Sequence, residues 1–218
     1  MARDFDLSNA RLYTFVDTAY LNGRDPADVA EQLCAGGSDL IQLRAKGWQE
    51  KEVRVLAERI SRITRGAGIP LVINDFPRIA QSVDAEFCHL GQEDFFEGGY
   101  KTTNEIWAGH PQSTPQIGLS THAPAQAERA IAANPDYIAI GPVFATATKP
   151  TANAVTLEYV RWAATNVRIP WFAIGGIHLG NLDQVLEAGA TRICVVSAIL
   201  NAPDIALACK AFRARLGD

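Results

Sequence analysis

The sequence predicts a single eight-stranded β/α barrel, and three features carry that prediction. Eight short apolar runs recur along the 218 residues. Several are continuous rather than alternating, as in strands buried on both faces of a parallel sheet. Segments of helical character separate most of the runs, so strand and helix alternate to the C-terminus. Eight such units close a barrel without remainder and leave no edge strand. The chain is compact beside the roughly 250 residues usual for that architecture. An open doubly wound sheet is the structural alternative.

The first run is RLYTFVD (11–17), and the ten residues before it read as an arm outside the barrel domain of 11–218. PADVAEQLCAG follows, with proline in a first helical turn and glycine at the stop. After DLIQLRA (39–45) comes QEKEVRVLAERISRITRGAG, where Val53, Leu56, Ile60 and Ile63 share a helical face. PLVIND (70–75) and EFCHLG (86–91) flank DFPRIAQSVDA, which has room only for a short helix. The polar stretch QEDFFEGGYKTTNEIWAGHPQSTP is uneven and reads as a loop plus a helix. QIGLS (116–120), YIAIGP (137–142), WFAIGG (171–176) and RICVVS (192–197) supply the last four strands. APAQAERAIAAN, LEYVRWAATN and NLDQVLEAGA lie between them, and APDIALACKAFRARL closes the chain.

Composition excludes several classes. Hydrophobic content of 48% suits one sizeable domain, and no apolar run approaches the ~18 residues of a membrane span. The N-terminus has acidic residues where a secretory signal would have its apolar core. A net charge of −4, from 20 basic and 24 acidic residues, leaves no footprint for nucleic acid. Cys34, Cys88, Cys194 and Cys209 are scattered without a CxxC pair, which reads as reduced thiols in a cytoplasmic protein.

Function in such a barrel collects at the C-terminal strand ends. In the second run Gln42, Arg44 and Lys46 share one face of an extended segment. Three donors in a row suit a multiply charged anion, with arginine gripping phosphate in a fork and lysine acting as a point charge. Asn74 and Asp75 end the third run, and Asp94 follows the fourth. Two carboxylates facing an anion site repel the anion unless a cation intervenes. Mg²⁺ meets that need, because it shares carboxylate and phosphate oxygens. The plainer reading is that each aspartate caps a helix or turn. Glu93 is a rival ligand that points away if its segment is extended.

Ser120, Thr121 and His122 end the fifth run. Thr146, Thr148 and Lys149 end the sixth, in GPVFATATKP (141–150). Gly175 and Gly176 after the seventh strand, with Ser197 after the eighth, fall at the frequent phosphate site of such barrels. Two anion sites in one mouth imply two phosphorylated small-molecule partners. His89 reads as a structural histidine, and no HExxH or clustered Cys/His set supports zinc.

QLRAK (42–46), IND (73–75), HLGQED (89–94), GLSTH (118–122), GPVFATATK (141–149), AIGGI (173–177) and VVSAI (195–199) occur in an order that resembles the thiamine-phosphate synthase family. The resemblance spans Leu12 to about Phe212 and implies a (β/α)8 barrel that joins a pyrimidine diphosphate to a thiazole phosphate and releases pyrophosphate. It implies that Gln42, Arg44, Lys46, Asn74, Ser120 and Lys149 hold the diphosphate substrate, with Arg44, Lys46, Ser120 and Lys149 acting in catalysis. By the same resemblance Asp75 and Asp94 bind Mg²⁺, and Thr146, Thr148, Gly176, Val196 and Ser197 hold the thiazole phosphate. One departure stands out: Phe76 occupies a position where the family often has arginine. Two rival functions share the fold, a thiazole tautomerase and a non-catalytic barrel that senses a phosphorylated metabolite.

Overall fold

The computed structural model describes residues 5–109, 114–145 and 155–217. Eight parallel strands pair in chain order and close on themselves: β1 Leu12–Asp17, β2 Leu40–Arg44, β3 Leu71–Asn74, β4 Phe87–Gly91, β5 Gln116–Thr121, β6 Tyr137–Ile140, β7 Trp171–Ile174 and β8 Ile193–Cys194. Closure is through β1 and β8, where Leu12 lies beside Ile193 and Tyr13 beside Cys194. The open-sheet alternative is thereby excluded.

Helices cover the outside: α1 Pro26–Ala35, α2 Glu50–Ala67, α3 Pro77–Ser82, α4 Gln92–Glu97, α5 Pro124–Ala132, α6 Thr156–Asn166, α7 Leu182–Glu187, α8 Ser197–Leu200 and α9 Ile205–Leu216. Local sequence explains their bounds. Asp25 caps α1 by accepting from the Ala27 amide at 2.7 Å, and Pro26 fills the first turn, where a backbone donor is not needed. Gln49 and Glu52 form a reciprocal capping box on α2, and Gly68 ends that helix in the left-handed region at φ 70°. The helix buries Val53, Leu56, Ala57 and Ile60 on one face. The segment after β4 is helical from Gln92, so the extended backbone on which the outward reading of Glu93 depended is not present.

Two apolar layers result from strands buried on both faces. Leu12, Val16, Ile41, Leu43 and Ile73 point outward to meet the helices. Tyr13, Phe15, Leu40, Val72, Phe87, Tyr137 and Phe172 fill the barrel interior. Residues 5–10 close its N-terminal floor, where Leu7 and Ala10 join the interior cluster and Phe5 meets Phe87 edge to face. With the floor sealed, the C-terminal mouth is the open end, and period two along each strand carries inward positions up to it.

Candidate active site

An open-mouthed cavity occupies that end, about 1040 Å³ with the solvent-open mouth included. Strand β2 contributes Gln42 and Arg44, and Lys46 stands just beyond it. Asn74 and Asp75 come from the end of β3, Asp94 from α4 and Ser120 from β5. Gly176, Val196 and Ser197 line the opposite wall. Thr146, Thr148 and Lys149 lie outside the described residues.

Arg44 is held from below. Its Nη1 donates to Asp17 Oδ2 at 2.8 Å, and Asp17 is almost wholly buried, with 1% of its side chain exposed against 15% for Arg44. The other Asp17 oxygen accepts from the Ala19 amide at 3.0 Å. Register explains the pairing, since Asp17 and Arg44 lie side by side on β1 and β2. A buried carboxylate without its guanidinium is strongly disfavoured, so the pair fixes where the guanidinium sits. Asp17 was not among the residues singled out from sequence. Its signal was an aspartate ending an otherwise apolar run, next to a strand that ends in arginine.

Asp75 adopts φ 65°, a left-handed conformation that aspartate tolerates better than most residues. Its amide donates to the His89 carbonyl at 2.9 Å, so the chain turns out of β3 while remaining tied to β4. The carboxylate forms an ion pair with Lys46, which is half-exposed. Asp94 lies in the first turn of α4 beneath Gly91, and a Cβ at Gly91 would come within 2.9 Å of Asp94 Oδ2. Glycine there leaves space beside the carboxylate. Glu93 does not reach the cavity lining.

Among the described residues no group of three or more metal-ligating side chains gathers. Two carboxylates are still a fitting donor set for Mg²⁺, which usually takes one or two carboxylates and completes its octahedron with water and substrate phosphate. The chemistry of the donors and the space at Gly91 agree with that use.

The glycine pair has a packing reason as well. Gly175 and Gly176 have φ of 106° and 64°. A Cβ on Gly175 would come within 2.4 Å of the Pro142 backbone, and one on Gly176 within 2.8 Å of the Ala145 carbonyl. The β6 loop therefore rests directly on the end of β7, joined by Val143 N–H to Ile174 O at 2.8 Å and Phe144 N–H to Gly175 O at 3.0 Å. His122 lines the cavity with Nδ1 against the Gly141 carbonyl, and its amide donates to Gln126 Oε1 at 2.7 Å. Phe76 packs against the apolar core.

The floor of the cavity is polar at two points. Gln42 and His89, respectively 2% and 8% exposed, reach it from β2 and β4. His89 stacks on the Tyr137 ring at 5.6 Å and its Nδ1 lies 3.1 Å from the Tyr137 hydroxyl.

Fold and mouth together define the class first: a (β/α)8-barrel enzyme with cationic and acidic side chains gathered at the C-terminal strand ends. A family model described as thiamine monophosphate synthase matches residues 12–199. A thiamine-phosphate synthase of Thermus thermophilus is 48% identical over 190 residues, covering 87% of this chain and 88% of that protein. One from Acidothermus cellulolyticus is 42% identical and covers 96% of both chains. The solved thiamine phosphate pyrophosphorylase of Pyrococcus furiosus superposes with a TM-score of 0.81 at 28% identity, over 94% of this chain and 95% of that one. The chain belongs to the thiamine-phosphate synthase family and is an enzyme, a transferase of thiamine biosynthesis. Among the described residues no helix is long and apolar enough to cross a membrane.

Proposed function

We propose that this enzyme joins an aminopyrimidine diphosphate to a thiazole phosphate, or to its carboxylated form, giving thiamine phosphate and pyrophosphate. The observation that carries this reading is the convergence of Arg44, Lys46, Asp75 and Asp94 on one cavity in a chain of this family. The catalytic unit is the barrel domain of residues 11–218.

The residues suit a dissociative substitution. Arg44, Lys46 and Lys149 stabilise charge developing on the departing diphosphate, as preorganised donors do most effectively in a water-poor site. Asn74 and Ser120 orient that group, and Gln42 supports the heterocycle end. Asp75 and Asp94 would hold Mg²⁺, which when bound supplies further neutralisation of the leaving group. Thr146, Thr148, Gly176, Val196 and Ser197 anchor the thiazole phosphate, so the second substrate is placed before the bond forms. The thiazole ring nitrogen carries no proton, and the attack needs no general base. The cation left on the exocyclic carbon is delocalised by the amino-substituted ring.

The test is pyrophosphate release from purified protein given each substrate alone and both together, with Mg²⁺ or with chelator. Release that requires both substrates and the metal is the expected result. No release from folded protein at saturating substrate would refute the reading and favour a tautomerase or sensor. Phe76→Arg is then the first variant to make.

A further inference from the structure

Four polar groups cross the apolar interior of the barrel in one line. Gln42 Nε2 donates to the Tyr13 hydroxyl. The Tyr13 and Tyr137 hydroxyls lie 3.0 Å apart, and the Tyr137 hydroxyl lies 3.1 Å from His89 Nδ1. Tyr13 and Tyr137 are 1% and 0% exposed. Their rings sit among Phe15, Phe87 and Phe172, and Tyr13 also borders the cavity. Space for the line is built in: a Cβ at Gly118 would come 2.1 Å from the Tyr137 ring, and only glycine admits it.

Proton counting fixes the direction of this line. Three hydrogen bonds contain two hydroxyls, and each hydroxyl has one proton. Burial pushes both phenols well above the ordinary tyrosine value, so both keep that proton. If the Gln42 amide donates to Tyr13, Tyr13 donates to Tyr137 and Tyr137 donates to His89 Nδ1. A mixed polarity either strands a buried O–H or leaves no proton between the two hydroxyls, which proteins avoid. In its neutral form the His89 ring then carries its proton on Nε2, and Gln42 keeps its carbonyl oxygen as an acceptor for the cavity. The opposite polarity moves the proton to Nδ1 and turns the Gln42 amide over. Neither end changes alone.

We propose that Tyr13 and Tyr137 are positioning residues that lock the tautomer of His89 to the amide orientation of Gln42, and so set which hydrogen-bonding groups the cavity floor offers a bound heterocycle. The proposal rests on the reading above that this floor receives the aminopyrimidine. It predicts a specificity effect from two almost wholly buried residues. Losing the Tyr137 hydroxyl leaves the ring and its packing in place but cuts the line, and the two ends become independent.

The test is nitrogen-15 NMR of the histidine side chains of the full chain, with His89 assigned by loss of its signals in His89→Asn. A single tautomer with bare Nδ1 and protonated Nε2 is expected in the wild-type protein. In Tyr137→Phe, and separately in Tyr13→Phe in case one variant folds poorly, His89 should become a tautomer mixture. KM for the pyrimidine substrate should rise roughly tenfold, as for loss of one hydrogen bond's worth of orientation, with kcat much less affected. A protonated Nδ1 in the wild-type protein overturns the assigned polarity, and an unchanged tautomer in both folded variants overturns the coupling. The tautomer measurement uses no substrate. A wild-type enzyme that releases pyrophosphate but shows the wrong tautomer refutes this proposal alone, whereas the right tautomer without release refutes the functional reading.

Discussion

Asp17 and Asp75 are both aspartates at strand ends, and their surroundings give them opposite tasks. Asp17 is buried with a single cation, and removing one member of such a pair usually costs about 3–5 kcal/mol. Asp17→Asn keeps the bond from the Ala19 amide, so the expected loss is smaller, about 2 kcal/mol in urea unfolding. Turnover should fall about 10–100-fold because the Arg44 guanidinium is no longer held in place. Wild-type kinetics with intact stability would remove Asp17 from the site. The Lys46–Asp75 pair is exposed enough to contribute little to stability, with 54% and 23% of the side chains accessible. It would suit exchange, with Lys46 released to reach the diphosphate if Asp75 held Mg²⁺. Lys46→Met is therefore expected to bind Mg²⁺ more tightly than wild type in calorimetric titration without substrate, yet to turn over more slowly. Equal or weaker metal binding would contradict the exchange. Asp75→Asn tolerates the left-handed backbone, so it should fold normally and lose about 10²–10³ in rate, measured as pyrophosphate release.

At the level of elements, β5 and β6 show how tightly the interior is fitted. Gly118→Ala puts a methyl group into the Tyr137 ring, which is enclosed by Tyr13, Phe87 and Phe172. Overpacking of this kind costs about 1–3 kcal/mol, and the displaced ring also gives up its His89 bond. A lower melting temperature with altered aromatic circular dichroism is expected, and an unchanged melt would show that the ring relocates freely. The strands themselves were legible because parallel strands buried on both faces leave continuous apolar runs, and even β8, only two residues long, was marked by RICVVS. The short α3 was readable from Pro77 and the few residues before β4. Mouth residues such as Gln42, Arg44 and Ser120 were readable because period two and barrel geometry aim them to one place. What sequence did not disclose depends on closure. Asp17 meets Arg44 through register, and Tyr13 meets Tyr137 across the barrel from a strand 124 residues away. Residues 5–10 read as an arm because their burial depends on the shape of the floor they fill. In the stretch read as a loop plus a helix, the helix comes first, at Gln92, an order left open because three polar residues after a strand carry no apolar periodicity.

For the molecule as a whole, sealing a barrel on both faces places weakly acidic groups where ionisation is unfavourable. Burial raises the Cys34 and Cys209 thiols from 9.0 to about 11 and the Tyr159 phenol from 10.0 to about 12. Cys88, Cys194, Tyr13 and Tyr137 are pushed up by burial as well. Each group is an acid whose folded value exceeds its unfolded value. Between the two, the unfolded chain has released a proton that the folded chain retains, so stability falls as pH rises. The contribution is fully present below about pH 9 and is lost progressively through pH 11 and beyond. The urea midpoint should thus be nearly level from about pH 7 to pH 8.5 and decline steadily above it. Cys34→Ser should soften that decline, because it removes one of the linked protons while leaving the barrel interior untouched. A midpoint that stays level to about pH 10.5 would mean that the thiols and phenols ionise equally well in both states, which the closed interior forbids. The same enclosure predicts slow alkylation of Cys88 and Cys194 at neutral pH, since the thiolate is the reactive form.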